Sequence, residues 1–110
     1  MTTVGLMIID DHRCLEIRVL TDIDVRNAAA IRTGIVSTWE ERGREPLVLD
    51  LAGARHIDSS GVGVLLELFH RTDDAGVALI LRGLRDAPRR MLERTGLDEL
   101  FHISRDLIMA

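Results

Sequence analysis

The chain contains no lysine; its 14 basic residues are all arginine. A P-loop nucleotide site needs a lysine on the phosphates, and Schiff-base catalysis needs a side-chain amine, so both chemistries are excluded. An arginine-only basic set also fits a GC-rich genome. Aromatic residues make up 3% of the chain, so its core has to be aliphatic, and a hydrophobic content of 46% is enough to build one. The single cysteine, Cys14, excludes an internal disulfide and most metal frameworks. In its stretch "CLEIRVL" it is expected to be a core residue rather than a reactive thiol. No apolar run reaches the roughly 18 residues of a membrane span, and no charged leader precedes an apolar stretch, so a soluble cytoplasmic protein is expected. The net charge of −4 lacks the clustered basic footprint of a nucleic-acid or membrane surface. His12, His56, His70 and His102 come from unrelated segments, without metal-ligand spacing.

What is present reads as one domain over residues 1–110. A strand beginning at Thr3, turn residues Asp10–His12 and an alternating strand Cys14–Thr21 predict an antiparallel hairpin. An acidic loop, Asp22–Asp24, follows. Ala28, Ile31, Ile35 and Trp39 form a helical stripe within Val25–Arg42, with Trp39 anchoring it to the sheet and Gly43 as the stop. Pro46–Leu51 and Val77–Gly83 read as buried strands, with a helix from about Ser60 to Ala75 between them. Asp86 as cap, Pro88 in the first turn and Gly96 as the stop bound a third helix, and Leu97–Ser104 is the expected last strand. The order β-β-α-β-α-β-α-β defines an α/β fold with an opening hairpin at one edge of a mixed sheet.

The chemistry concentrates in "HIDSSG" (His56–Gly61), at the carboxyl end of a strand, where open α/β folds gather functional residues. Ser60 or Asp58 suffices to cap the following helix, worth about 0.5–2 kcal/mol. Yet three capping residues stand in a row. Gly61 and Gly63 then follow, each costing about 1 kcal/mol in a helix relative to alanine. Small residues there suit the close approach of another protein's backbone, and a helix N-terminus accommodates an anion such as a phosphorylated serine. Val62, Leu65, Leu66 and Phe69 form a stripe expected to face the sheet. Val64 and Leu68 lie nearly opposite, beside Gly61; either they meet a neighbouring helix, or they form an exposed apolar strip for docking. Enzyme motifs fit poorly. Asp58 stands where G-x-S-x-G needs its first glycine, and Leu66 where a dinucleotide fingerprint needs its third. A Ser59–His56 pair is too local to suggest a hydrolase.

"IDSSGVGVLLELFHR" resembles the signature of STAS-domain anti-sigma factor antagonists. The similarity extends to "RVLTDID", "PLVLDLAGARHID" and "GLDELFHI". The resemblance implies a non-enzymatic bacterial regulator of transcription, without cofactor, that works by partner switching. In its unphosphorylated form such a protein binds an anti-sigma factor with serine kinase activity and frees a sigma factor. Phosphorylation of the first motif serine, here Ser59, releases it, and a serine phosphatase of the PP2C type resets it. The implied partner-binding set is Asp22, Asp24, Asp58, Ser60, Gly61, Gly63, Val64 and Leu68. Thr21 departs from the usual glycine, His56 from the usual apolar residue, and the family's closing helix is expected to be shortened or missing. The competing implication is a non-phosphorylated STAS accessory subunit of a lipid- or anion-transport complex.

Overall fold

The structure, a computed structural model, describes residues 5–10 and 14–104. The expected strand start at Thr3, the turn residues Asp11 and His12 and any closing helix after Ser104 lie outside the described residues.

Strands β1 (Leu6–Asp10) and β2 (Leu15–Val19) form the antiparallel hairpin. Helix α1 (Ala28–Glu41), β3 (Leu47–Asp50), α2 (Ser59–Asp74), β4 (Leu79–Arg82), α3 (Asp86–Thr95) and β5 (His102–Ser104) follow in strict alternation. The sheet order is β1-β2-β3-β4-β5, parallel from β2 onward. Every crossover steps to the next strand in the same direction. Because such crossovers are right-handed, the three helices share one face of the sheet.

The strands' odd and even positions divide accordingly. Leu15, Ile17 and Val19 of β2, with Leu47 and Leu49 of β3 and Leu79 and Leu81 of β4, are buried against the helices. The opposite parity on the other face carries a cross-strand ion network, in which Arg82 pairs with Glu16 at 2.6 Å and Arg18 with Glu16 at 2.9 Å. Cys14 shares that second parity and stands one residue before β2. It is half-buried, so it does not belong to the core as its stretch suggested.

Trp39 does anchor α1. It is buried, and its indole Nε1 donates to the Glu45 carbonyl at 2.7 Å. Three boundaries move relative to expectation. Val25–Asn27 form a turn before α1 rather than its first residues. Asp86 sits in the first turn of α3 with no side-chain capping bond, Arg85 occupying the cap position. Gly96 ends α3 in the left-handed conformation (φ 74°), and Leu97–Glu99 wind into a short 3₁₀ turn, leaving only His102–Ser104 for β5. Burial of Phe101 edge-on to Phe69, with centroids 5.9 Å apart, favours that turn over a longer strand.

Candidate functional site

Beyond the carboxyl ends of β2 and β3, two loops lie side by side. They are joined as a one-residue extension of the parallel sheet, the Ile23–Ile57 bridge. The Ile23 N–H donates to the His56 carbonyl at 3.1 Å, and the Asp58 N–H donates to the Ile23 carbonyl at 3.1 Å. Both isoleucines are buried, so the bridge is anchored from beneath. The acidic loop and the serine loop, whose bridging residues are 34 apart in sequence, are thereby set in register.

Asp22 clamps the pair. Its Oδ1 accepts the N–H groups of Arg55 (2.7 Å) and His56 (3.1 Å), while the His56 ring stands 3.6 Å from Oδ2. The His56 backbone N–H is the main cause holding the Asp22 carboxyl below the usual carboxylate range. Asn27 ties the acidic loop to itself, accepting from the Asp24 N–H at 2.9 Å and donating to the Asp22 carbonyl at 2.8 Å. Asp24 receives the Arg26 guanidinium at 2.9 Å as well as the Arg26 N–H, and the guanidinium chiefly lowers its pKa. Neither Asn27 nor Arg26 was singled out in the sequence. The Asp-Val-Arg-Asn spacing is the signal that was there: an Asx turn directly before an apolar helical stripe.

The division of labour in "DSSG" is now explicit. Asp58 is the N-cap of α2, in extended conformation, and its Oδ1 accepts from the N–H groups of Ser60 (2.8 Å) and Gly61 (3.2 Å). The helix therefore starts at Ser59, one residue earlier than expected, and neither serine is the cap. Ser59 is exposed and Ser60 partly so, and neither hydroxyl makes a hydrogen bond among the described residues. Ser59 Oγ is thus an accessible, unengaged hydroxyl in the first turn of a helix.

The expected binding face of α2 needs correction. Gly61, Val64 and Leu68 are buried rather than exposed. With Leu65 and Thr72 they form the inward face. The stripe expected to face the sheet is rotated to the flank: Val62, Leu66 and Phe69 are only partly buried. The cause is Gly61. A Cβ there would overlap Ile57 Cγ2 and stand 3.0 Å from Ile23 Cβ, so the glycine lets α2 settle onto the bridge, and that fixes the helix's rotation. That internal packing is sufficient reason for a glycine at this position. Gly63 differs: it is exposed, and a Cβ there would meet nothing within 4 Å. Asp22, Asp24, Asp58, Ser59, Ser60 and Gly63 are what the structure brings together at the surface. Val25, next to Asp24, is 76% exposed and adds an apolar side chain to that surface.

Among the described residues, no group of three or more His, Cys, Asp or Glu is placed to hold a metal, and no helix is long and apolar enough to cross a membrane.

The site is thus a capped serine loop set beside an acidic loop, at one end of an α/β sheet that carries its helices on one face. The STAS domain family matches residues 6–110, and the chain belongs to that family. A Thermotoga maritima protein described as a candidate anti-sigma factor antagonist shares 17% identity and superposes with a TM-score of 0.87, covering 96% of this chain and 90% of the other. An anti-sigma factor antagonist from Mycobacterium paratuberculosis shares 24% (TM-score 0.77; 93% and 86% covered). The Bacillus cell fate determinant SpoIIAA in its phosphorylated form shares 20% (TM-score 0.68; 92% of each chain covered). At these identities the structural likeness establishes the fold.

Proposed function

We propose that this protein is an anti-sigma factor antagonist that works by partner switching, with Ser59 as its phosphoacceptor. The observation that carries the reading is the assignment of the capping role to Asp58. It leaves Ser59 Oγ exposed, unbonded and without a structural task. The bridge between the loops holds the acidic segment of Asp22 and Asp24 beside it. Unphosphorylated, the surface formed by Ser59, Gly63 and Val25 docks on an anti-sigma factor with serine kinase activity, freeing a sigma factor. Phosphorylation adds about −1.5 to −2 charges at a site already flanked by Asp58 and Asp24. A partner surface fitted to a neutral hydroxyl then meets a bulky anion, and juxtaposed like charge of this kind costs several kcal/mol. Release follows locally, with no rearrangement of the sheet. A serine phosphatase of the PP2C type restores the binding form. That a SpoIIAA structure of the same fold is described in a phosphorylated form supports the reading.

The test pairs Ser59→Ala and Ser59→Asp as baits in lysate of the native host. The alanine form is expected to retain an ATP-binding anti-sigma factor that ATP does not release, and the aspartate form to retain none. Phosphate on Ser60 instead would overturn the residue assignment. Equal recovery of one partner by both baits would favour an accessory subunit of a transport complex.

A further inference from the structure

Between two backbone contacts, the serine loop rests on a single side chain. At its start Gly53 lies against the end of β2: a Cβ there would stand 2.5 Å from the Val19 carbonyl oxygen and 2.8 Å from Leu20 Cα. At its end the Ile23–Ile57 bridge sets in. Among the described residues, the N–H groups of Arg55 and His56 in between meet no backbone acceptor. Both are taken by Asp22 Oδ1, at 2.7 and 3.1 Å. The carboxylate oxygen stands in for a missing stretch of backbone ladder.

Asp22 is itself held in place. The Asn27 side chain donates to the Asp22 carbonyl at 2.8 Å and accepts from the Asp24 N–H at 2.9 Å. One carboxylate oxygen of Asp22 carries two N–H bonds, and the other faces the His56 ring at 3.6 Å. A partner's cation at Asp22 would draw the carboxylate away from the bonds that hold the loop.

We propose that Asp22 is a positioning residue for Ser59, acting through the backbone of Arg55 and His56 and not by touching the partner. The inference rests on the proposed switch and assigns Asp22 a different part in it from the partner-binding role that the resemblance implied. Ser59 follows His56 by three residues. A loop freed at these two N–H groups leaves the Ile23–Ile57 bridge alone to fix where α2 and its first-turn hydroxyl begin. What the role requires at position 22 is an acceptor oxygen; a contact with a partner's cation would require the charge.

Phosphate transfer from ATP to Ser59 by the partner recovered with the Ser59→Ala bait, followed at varied concentrations of this protein, tests it. Asp22→Asn keeps the acceptor oxygen and loses the charge, whereas Asp22→Ala loses both. A misplacement of about 1 Å can cost about 100-fold in rate. Asp22→Asn is therefore expected to stay within about twofold of the unaltered chain in kcat and KM, and Asp22→Ala to lose about tenfold or more, chiefly in kcat. An equal loss in both variants, carried by KM and shrinking at high salt, would mean a charge contact with the partner and overturn the proposal. So would an Asp22→Ala protein phosphorylated at the unaltered rate. Amide exchange read by NMR follows the clamp in the free proteins. The Arg55 and His56 amides should be protected in the unaltered chain and in Asp22→Asn, and equal protection in Asp22→Ala would also overturn it. If Asp22→Ala fails to fold, Asp22→Asn decides by the same two readouts. A partner that transfers no phosphate to Ser59 even in the unaltered chain would instead overturn the proposed switch, and this inference with it.

Discussion

Replacing Asp58 with alanine tests whether the first polar residue of "DSSG" is the structural one. The substitution orphans the N–H groups of Ser60 and Gly61, both now held by Asp58 Oδ1. Loss of an N-cap costs about 0.5–2 kcal/mol. Loss of a negative charge at the positive end of the helix adds about 0.3–1 kcal/mol. The expected total is about 0.8–3 kcal/mol, which for a domain of this size lowers Tm by roughly 4 °C per kcal/mol, or about 3–12 °C. Asp58→Asn keeps the acceptor and loses only the charge, so it should recover most of the difference. Ser59→Ala and Ser60→Ala, which remove hydroxyls with no partner, should stay within about 0.5 kcal/mol of the unaltered protein. Thermal unfolding followed by circular dichroism reads all four. If Ser60→Ala costs as much as Asp58→Ala, or if Asp58→Ala is neutral, a serine is the cap. Either result would give a serine of the motif a structural task of its own.

The two glycines of the first turn should respond in opposite directions. Gly61→Ala must push Ile57 or Ile23 aside, so denaturant unfolding should show a loss of about 1–3 kcal/mol despite alanine's better helix propensity. Gly63→Ala meets open space and should stabilise by about 0.5–1 kcal/mol; a stabilised protein that binds its partner less tightly would place that partner's backbone against Gly63. Asp22 has a folded-state pKa below its ordinary 3.8, so it contributes stability that is fully present above that value and is lost as pH falls through the lower one. Asp22→Asn should therefore flatten the acid limb of stability against pH, as read by urea midpoints from neutral to pH 2, and an unchanged slope would dissociate the clamp from folding.

Element order was legible because the strands are marked by period-two alternation or short apolar runs, and the helices by stripes with glycine stops. The rotation of α2 was not. Val62, Val64, Leu65, Leu66, Leu68 and Phe69 surround most of the helix, because α2 is the middle helix and is flanked as well as seated on the sheet. Periodicity then defines no unique inward face, and the choice passes to Gly61, whose packing partners Ile23 and Ile57 are brought together only by the fold. The site was legible in its residues and not in its roles. "DSSG" announced a helix start, but which residue caps it depends on the backbone of Asp58. The partners of Asp22 are equally invisible along the chain, since they are main-chain N–H groups from a loop more than 30 residues away.

The cap also decides what a phosphate on Ser59 would experience. A free helix N-terminus would hold the anion with its first N–H groups and ease its second ionisation. Here Asp58 already occupies the N–H groups of Ser60 and Gly61, and it adds a negative charge in the adjoining residue. Arg26, the cation closest in sequence to the acidic loop, is committed to Asp24. The phosphate on Ser59 would face solvent among like charges, which disfavours its dianion. Its second pKa should therefore lie above the ordinary value of about 6. Titration of the phosphorylated protein by phosphorus NMR measures this directly, with Asp58→Asn expected to bring the value back down. A pKa below 6 would mean that N–H groups or Arg26 turn to the phosphate, and that the charge is absorbed by the domain instead of being presented to the partner.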